Sequence, residues 1–421
     1  MHLCLRQCLF AIGALGLAAY VWIYSRQGAP LPIRSDGYSY YVYLPSWLIY
    51  RDVTLDSLAR DWYGGDYPAL TGIARWPDTG RWISRHPIGP AILMSPFFVG
   101  AHLLTRWSNL PPDGFSLYYQ HADGLAGLCY LLAGLAVLAR TLTCHFSPVV
   151  ALATIVTVTF GTNLFHYGTY DSSFSHVYSF FLICVLVELT DRWWEAPTAL
   201  RSCGIGFVSA LIVLTRPVNA LFLLLVPLYR LKELRQRSCQ LAMVVSIASV
   251  AVLPQLLIYR QATGQWLVNP YRPLNNAFNF GSPRLLEVLF STQKGLFFWS
   301  PALLMAIGGL FTPTRWSRAW AMPVAIVLTI DTYLIASWSD WQFGGSYGHR
   351  GFTDGLGLFA IFVASFFTWC AGRPRLVRFV AAGTSLAVAL SVVQMAQYWI
   401  GVVPFADTTW AQYRALFLRF H

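Results

Sequence analysis

The segment Ile88-Gly89-Pro90-Ala91-Ile92-Leu93-Met94-Ser95-Pro96-Phe97-Phe98-Val99-Gly100-Ala101-His102-Leu103-Leu104 decides how the chain is threaded. It is nearly long enough to cross a bilayer, which takes about 20 mostly apolar residues. Gly89, Pro90 and Pro96 spoil a regular spanning helix, and broken backbone at membrane depth needs protein or water around it. The charges elsewhere arbitrate. If 88–104 crosses, the Arg-rich segments 230–239 and 371–378 fall outside, against the positive-inside rule. If it lies along or dips into the outer interface, both fall in the cytoplasm, together with Arg140, Arg192, Arg201, Arg315 and Arg318. We therefore read 88–104 as interfacial or re-entrant.

Outward from that segment the chain is apolar throughout. Of its 421 residues 56% are hydrophobic and 11% charged, with a mean hydropathy of +0.51. Soluble domains carry about 25% charged residues, so a soluble enzyme is excluded. Disorder is excluded by the 16% aromatic content. The fold expected is an all-α polytopic membrane protein of about eleven transmembrane helices, its N-terminus cytoplasmic. Candidate spans lie at 8–24, 122–139, 148–165, 173–189, 203–214, 218–229, 240–258, 293–311, 319–337, 352–370 and 379–401. Residues 1–421 form a single integral membrane domain, with a long first outer loop, 25–121, that includes 88–104, and a second, 259–292. All eight cysteines fall in helices or on the cytoplasmic side, so no outer disulfide is expected. The net charge of +11 then reports orientation and calls for no nucleic acid, because most of the excess is cytoplasmic.

Fourteen of the 18 acids lie on the outer face or in the spans, and long outer loops usually carry function. After the first span comes Ser35-Asp36-Gly37-Tyr38-Ser39-Tyr40-Tyr41. Asp36, partly desolvated among tyrosines, could accept a proton from an acceptor hydroxyl or amine; the other reading is an interfacial aromatic belt with one solvated acid. His86, Tyr40 and Tyr41 would wall an outward cavity, or 88–104 is an interfacial helix without chemistry. Asp171 and His176 bracket the mouth of the fourth span, with Ser172 or Ser173 as its cap. Arg216, before Pro217, could grip a phosphate or snorkel to head groups. In Trp338-Ser339-Asp340-Trp341-Gln342-Phe343-Gly344-Gly345-Ser346-Tyr347-Gly348-His349-Arg350, glycine N–H groups and Arg350 suit an anion, unless the loop is merely flexible. No HExxH, Cys-rich metal pattern, P-loop or nucleotide fingerprint occurs. Asp331 is read as the one acid well inside a span, which speaks against an ion-coupled transporter.

These residues together resemble the polytopic GT-C glycosyltransferases, including the protein O-mannosyltransferases and the bacterial lipid A aminoarabinose transferase. The likeness rests on a first span followed by Asp36, on His86-Pro87-Ile88-Gly89-Pro90, on the run Ala210 to Asn219, and on Gly295-Leu296-Phe297-Phe298-Trp299-Ser300-Pro301. It implies a sugar carried on a polyprenyl phosphate and moved, with inversion, to a lipid, glycan or protein acceptor. It places the enzyme in a bacterial inner membrane, its active site facing the periplasm or exterior. By that resemblance Asp36 and Asp171 are catalytic, and Arg350, Arg216 and His176 hold the donor phosphate. Many members carry a second acid beside the first; here Gly37 stands there, so no metal or other cofactor is expected. An outer-face polymerase or ligase using a lipid diphosphate, or a lipid or sugar transporter, are the alternatives.

Overall fold

Leu3 to Tyr24 form one uninterrupted helix, as the apolar run demands. The computed structural model describes residues 3–272 and 276–420; Pro273, Leu274 and Asn275, within the second outer segment, lie outside the described residues. Among the described residues five helices are long and apolar enough to cross a membrane: Leu3–Tyr24, Leu117–His145, Leu231–Thr263, Arg315–Ser337 and Pro374–Trp399. Shorter apolar helices stand at Pro148–Phe160, Ala199–Thr215, Pro217–Leu228, Pro301–Phe311 and Leu356–Ala371.

These helices do not establish the expected count of eleven spans, and in two of the expected runs glycine and proline interrupt the helix. The run at 148–165 stops at Gly161 and restarts as Leu164–Thr169. The run at 293–311 is cut by Pro301, whose ring nitrogen has no hydrogen to donate, into Leu296–Trp299 and the pieces from Pro301 to Phe311. The fourth span begins at Ser175, and neither Ser172 nor Ser173 caps it: Phe174 holds the cap position, and the Ser173 hydroxyl donates to the Pro32 carbonyl.

The threading segment is a helix, Gly89–Arg106, with Pro90 in its first turn and Pro96 on its exposed side. Met94, Phe98, Ala101 and Thr105 face inward at helical spacing. Ile92, Val99, Leu103 and Leu104 are exposed. Its first turn is pressed onto the end of the Ala199–Thr215 helix: a Cβ on Gly89 would lie 2.4 Å from the backbone of Leu214 and Thr215. Backbone cannot yield as a side chain can. Gly89→Ala is therefore expected to cost about 3 kcal/mol, the upper end for overpacking, and to lower the thermal midpoint in detergent. An unchanged midpoint would show that this contact does not set the packing.

An all-α expectation misses one element. Ile73–Arg75 and Trp82–Ser84 pair antiparallel, with Ala74 opposite Ile83. The turn Pro77-Asp78-Thr79-Gly80 closes them, its glycine at φ +68°. This hairpin delivers the chain to Arg85 and His86.

Candidate functional site

A cavity of about 560 Å³ lies where five distant parts of the chain meet. The Asp36–Tyr41 helix contributes Asp36 and Tyr40, and the hairpin exit contributes Arg85 and His86. The end of the Ala199–Thr215 helix brings Val213, Leu214, Arg216 and Asn219. Gln255, Tyr259 and Tyr271 come from the next long helix and the loop after it. Asp331, Trp338, Asp340, Phe343 and Arg350 complete the wall. Polar and cationic side chains thus share the wall with the apolar Val213, Leu214, Val252 and Leu256.

Asp36 opens its helix from a strained start, since Ser35 holds φ +48° without being a glycine. Such outliers persist where the surroundings fix them. Its carboxylate pairs with Arg350 at 2.9 Å. Burial works against ionisation, but Arg350, then His86 and Arg85, outweigh it and hold the carboxyl down at about 2. Gly37 packs so closely that a Cβ there would sit 2.0 Å from the Ser173 hydroxyl, so no second acid fits beside the first. Among the described residues no three His, Cys, Asp or Glu side chains are grouped to hold a metal ion. Asp36 has no carboxylate beside it in sequence and is engaged by the Arg350 guanidinium.

The state of His86 follows from its partners. The Ser39 hydroxyl donates to the Asp36 carbonyl at 2.7 Å, so across the 2.5 Å contact Nδ1–H of His86 donates to Ser39. Nε2 then accepts from the Tyr271 hydroxyl at 3.4 Å. Burial, with Arg85 and Arg350 nearby, pushes the imidazole down to about 3 despite Asp36, and it is neutral at pH 7. Tyr40 stacks on it with ring centroids 4.2 Å apart and donates its hydroxyl to Ser175. Tyr41, one residue on, is turned about 100° around the helix and is not in the cavity wall. Its hydroxyl donates to the Gly114 carbonyl instead.

Arg216 does not snorkel. Its guanidinium donates to Asp354 at 2.7 Å, and Asn219 donates to the same oxygen at 2.8 Å. His176 donates from Nδ1 to the other Asp354 oxygen at 2.9 Å. His176 thus steadies Asp354 beside Arg216 and also stands in the cavity wall.

Asp171 lies outside the cavity wall. One oxygen takes Arg34 at 2.8 Å and the other takes His166 at 2.9 Å. The indole of Trp399 donates to Nδ1 of His166, which fixes the proton on Nε2. Burial opposes the Asp171 charge, but Arg34 and His166 hold its carboxyl below the usual range. With both oxygens committed it ties the loop before the Asp36–Tyr41 helix to the Leu164–Thr169 helix, away from the cavity in which the catalytic expectation would place it.

The glycine loop does not offer an open anion nest. The Phe343 N–H donates to the Asp340 carbonyl, that of Gly344 to the Asp340 side chain and that of Ser346 to Phe405. The Lys294 ammonium, buried, donates to the carbonyls of Ser346 and Phe405 and pins the loop to the C-terminal segment. What the loop presents is Phe343, at φ +55°, and Arg350.

Sequence reasoning missed Asp354, although it stands four residues after Arg350 at the head of an apolar run. It also missed Tyr271 and Arg85. Asp331 is not the only acid within a span, since Asp123 lies inside the Leu117–His145 helix with both oxygens buried and unpartnered.

No protein-family model and no curated protein sequence matches the chain. Its fold is similar to that of the archaeal oligosaccharyltransferase AglB from Archaeoglobus fulgidus, solved in complex with an inhibitory peptide and a dolichol-phosphate. The TM-score is 0.50 at 11% identity, over all of this chain and 60% of that one. A structure of the Archaeoglobus fulgidus oligosaccharyltransferase with zinc and sulfate gives a TM-score of 0.46 at 12% identity, over 98% of this chain and 57% of that one. The chain thus spans less than two thirds of the length of either, and what is shared is fold.

Proposed function

We propose that the chain is a GT-C-type glycosyltransferase. It moves a sugar from a polyprenyl phosphate to an acceptor hydroxyl or amine at the outer membrane face, with inversion at the sugar carbon. The observation that carries this reading is the cavity itself, whose wall combines Arg350 paired with Asp36 and Arg216 paired with Asp354 with the apolar side chains of Val213, Leu214, Val252 and Leu256. That combination suits a ligand with an anionic head and a hydrocarbon tail. The fold likeness supports the class, and AglB is a lipid-linked case in that it was solved with a dolichol-phosphate.

In this reading Arg350 and Arg216 take the donor phosphate, and Asp36 takes the acceptor proton. Positive charge fixed where a phosphate departs lowers the barrier without reorganisation. The tail would run along Val213, Leu214, Val252 and Leu256, beside the Gly89–Arg106 helix at the outer interface of a bacterial inner membrane. The acceptor is a lipid, glycan or protein, and no nucleic acid is involved. Members of the O-mannosyltransferase and aminoarabinose transferase type use such a layout.

The test is turnover by the purified full chain in proteoliposomes. Polyprenyl monophosphates carrying a panel of labelled sugars are supplied with bacterial envelope glycolipids as acceptors. Release of polyprenyl phosphate with a product of inverted anomeric configuration is expected. Turnover of polyprenyl diphosphate sugars alone, or of neither class, would sink the proposal.

A further inference from the structure

We infer that Arg350 is a shared cation: in the resting protein it holds the Asp36 carboxylate, and an arriving donor phosphate draws it away, so the base is released only when the donor is seated. This rests on the reading of the cavity as a lipid-phosphate sugar transferase site.

Of the three guanidiniums that line the cavity, Arg216 and Arg350 are paired with carboxylates, and the two differ in how firmly they are held. Arg216 is tied to Asp354, whose side chain is 1% exposed and is also held by His176 and Asn219. A ligand in the cavity cannot reach that carboxylate. Arg350 is tied to Asp36, and their side chains are 14% and 21% exposed at the cavity wall. A phosphate can therefore compete for Arg350 directly. The guanidinium is flanked by the rings of Phe174 and Phe343, with centroids 5.5 and 6.0 Å away. Five N–H donors allow it to engage a phosphate before the carboxylate is fully given up.

While the pair is closed, Asp36 is a poor proton acceptor, because a guanidinium stabilises the carboxylate it would have to protonate. The groups facing it are Arg85, His86, His176 and Arg350, with Asp340, Tyr167, Tyr271 and its own helix's Tyr40. Among these Arg350 is the largest favourable influence. Once Arg350 shifts to the phosphate, the step proceeds with charge conserved. The acceptor oxygen or nitrogen bonds the sugar carbon, and its proton passes to Asp36. The bond from sugar carbon to phosphate oxygen breaks, and the electron pair leaves with the phosphate. The singly charged phosphodiester becomes a doubly charged polyprenyl phosphate, which Arg350 holds more strongly than it held the donor.

The measurement is the affinity of a short-chain polyprenyl monophosphate without sugar, titrated onto the purified full chain. Wild type, Asp36→Asn, Arg350→Gln and the double variant are compared, with Arg350→Ala in place of the glutamine if that form fails to fold. Asp36→Asn should bind about tenfold tighter than wild type, since no carboxylate then competes for the guanidinium. The gain should vanish in the Arg350→Gln background. An equal gain in that background reports plain charge repulsion and overturns the sharing. Unchanged or weaker binding by Asp36→Asn, with transfer intact in wild type, overturns the sharing alone. Absence of polyprenyl phosphate binding in every form overturns both the sharing and the transferase reading.

Discussion

Replacing Asp36 with asparagine should reduce sugar transfer by about 10³-fold at unchanged protein level, within the range that a lost general base costs. Asparagine keeps the shape and can still accept a hydrogen bond from Arg350, but it cannot take up the acceptor proton. No neighbouring acid is placed to substitute, because Gly37 is packed against Ser173. A loss below tenfold would move the base to Asp340 or Asp331, the other acids in the cavity wall. The pH dependence sharpens the test. A carboxyl held at about 2 by Arg350, below its unfolded value of about 3.9, contributes stability above that unfolded value and loses it as pH falls through 2. The donor-free enzyme should therefore show no acidic limb from Asp36 between pH 5 and 8, and kcat/KM, which reports free enzyme, should be flat there on that account. Once the donor has drawn Arg350 away the carboxyl titrates higher, so kcat should fall on the acid side while kcat/KM does not. Identical acid limbs in both parameters would contradict a base controlled by donor occupancy.

Part of this site is legible from sequence because ends of apolar runs mark where chemistry can meet a membrane surface. Asp36 after the first run, His86 before the proline-rich segment, Arg216 between two short runs and Arg350 after the glycines all stand at such ends, and all line one cavity. Asp171 stands at such an end too and does not. Its partner Arg34 is 137 residues away and its other partner, His166, looks like an ordinary residue of an apolar run. Long-range ion pairing decides whether an outer acid is free, and no local pattern carries it. Tyr40 and Tyr41 differ only by a 100° turn in a helix of six residues, too short for periodicity to reveal its buried side. Two of the expected spans are interrupted for a related reason. Hydropathy sums over Gly161 and Pro301 without registering that the backbone breaks there, so two apolar runs are read as continuous helices. Asp354 was hidden by its own solution: a carboxylate can sit at the head of the Leu356–Ala371 helix because Arg216, Asn219 and His176 converge on it.

That convergence makes Asp354 the most consequential structural residue near the cavity. Asp354→Ala removes the acceptor from two buried donors and leaves the Arg216 charge, 16% exposed, without its partner. Breaking a buried pair from one side costs about 3–5 kcal/mol, so a large fall in thermal midpoint is expected. Asp354→Asn keeps an acceptor oxygen but removes the charge, and it should fold. There Arg216 loses the anchor that aims it into the cavity, and the effect should appear mainly as a raised KM for the lipid donor with a smaller change in kcat. Replacing both partners by apolar residues, Arg216→Met with Asp354→Leu, tests the separation directly. Apolar replacement of a buried pair is often neutral, but Asn219 and His176 still lose their acceptor, so only part of the stability lost in Asp354→Ala should return. Donor binding should not return, because the second guanidinium is gone. If the double replacement were both stable and fully able to bind polyprenyl phosphate, Arg216 would be a packing element, and Arg350 alone would be left to hold the phosphate.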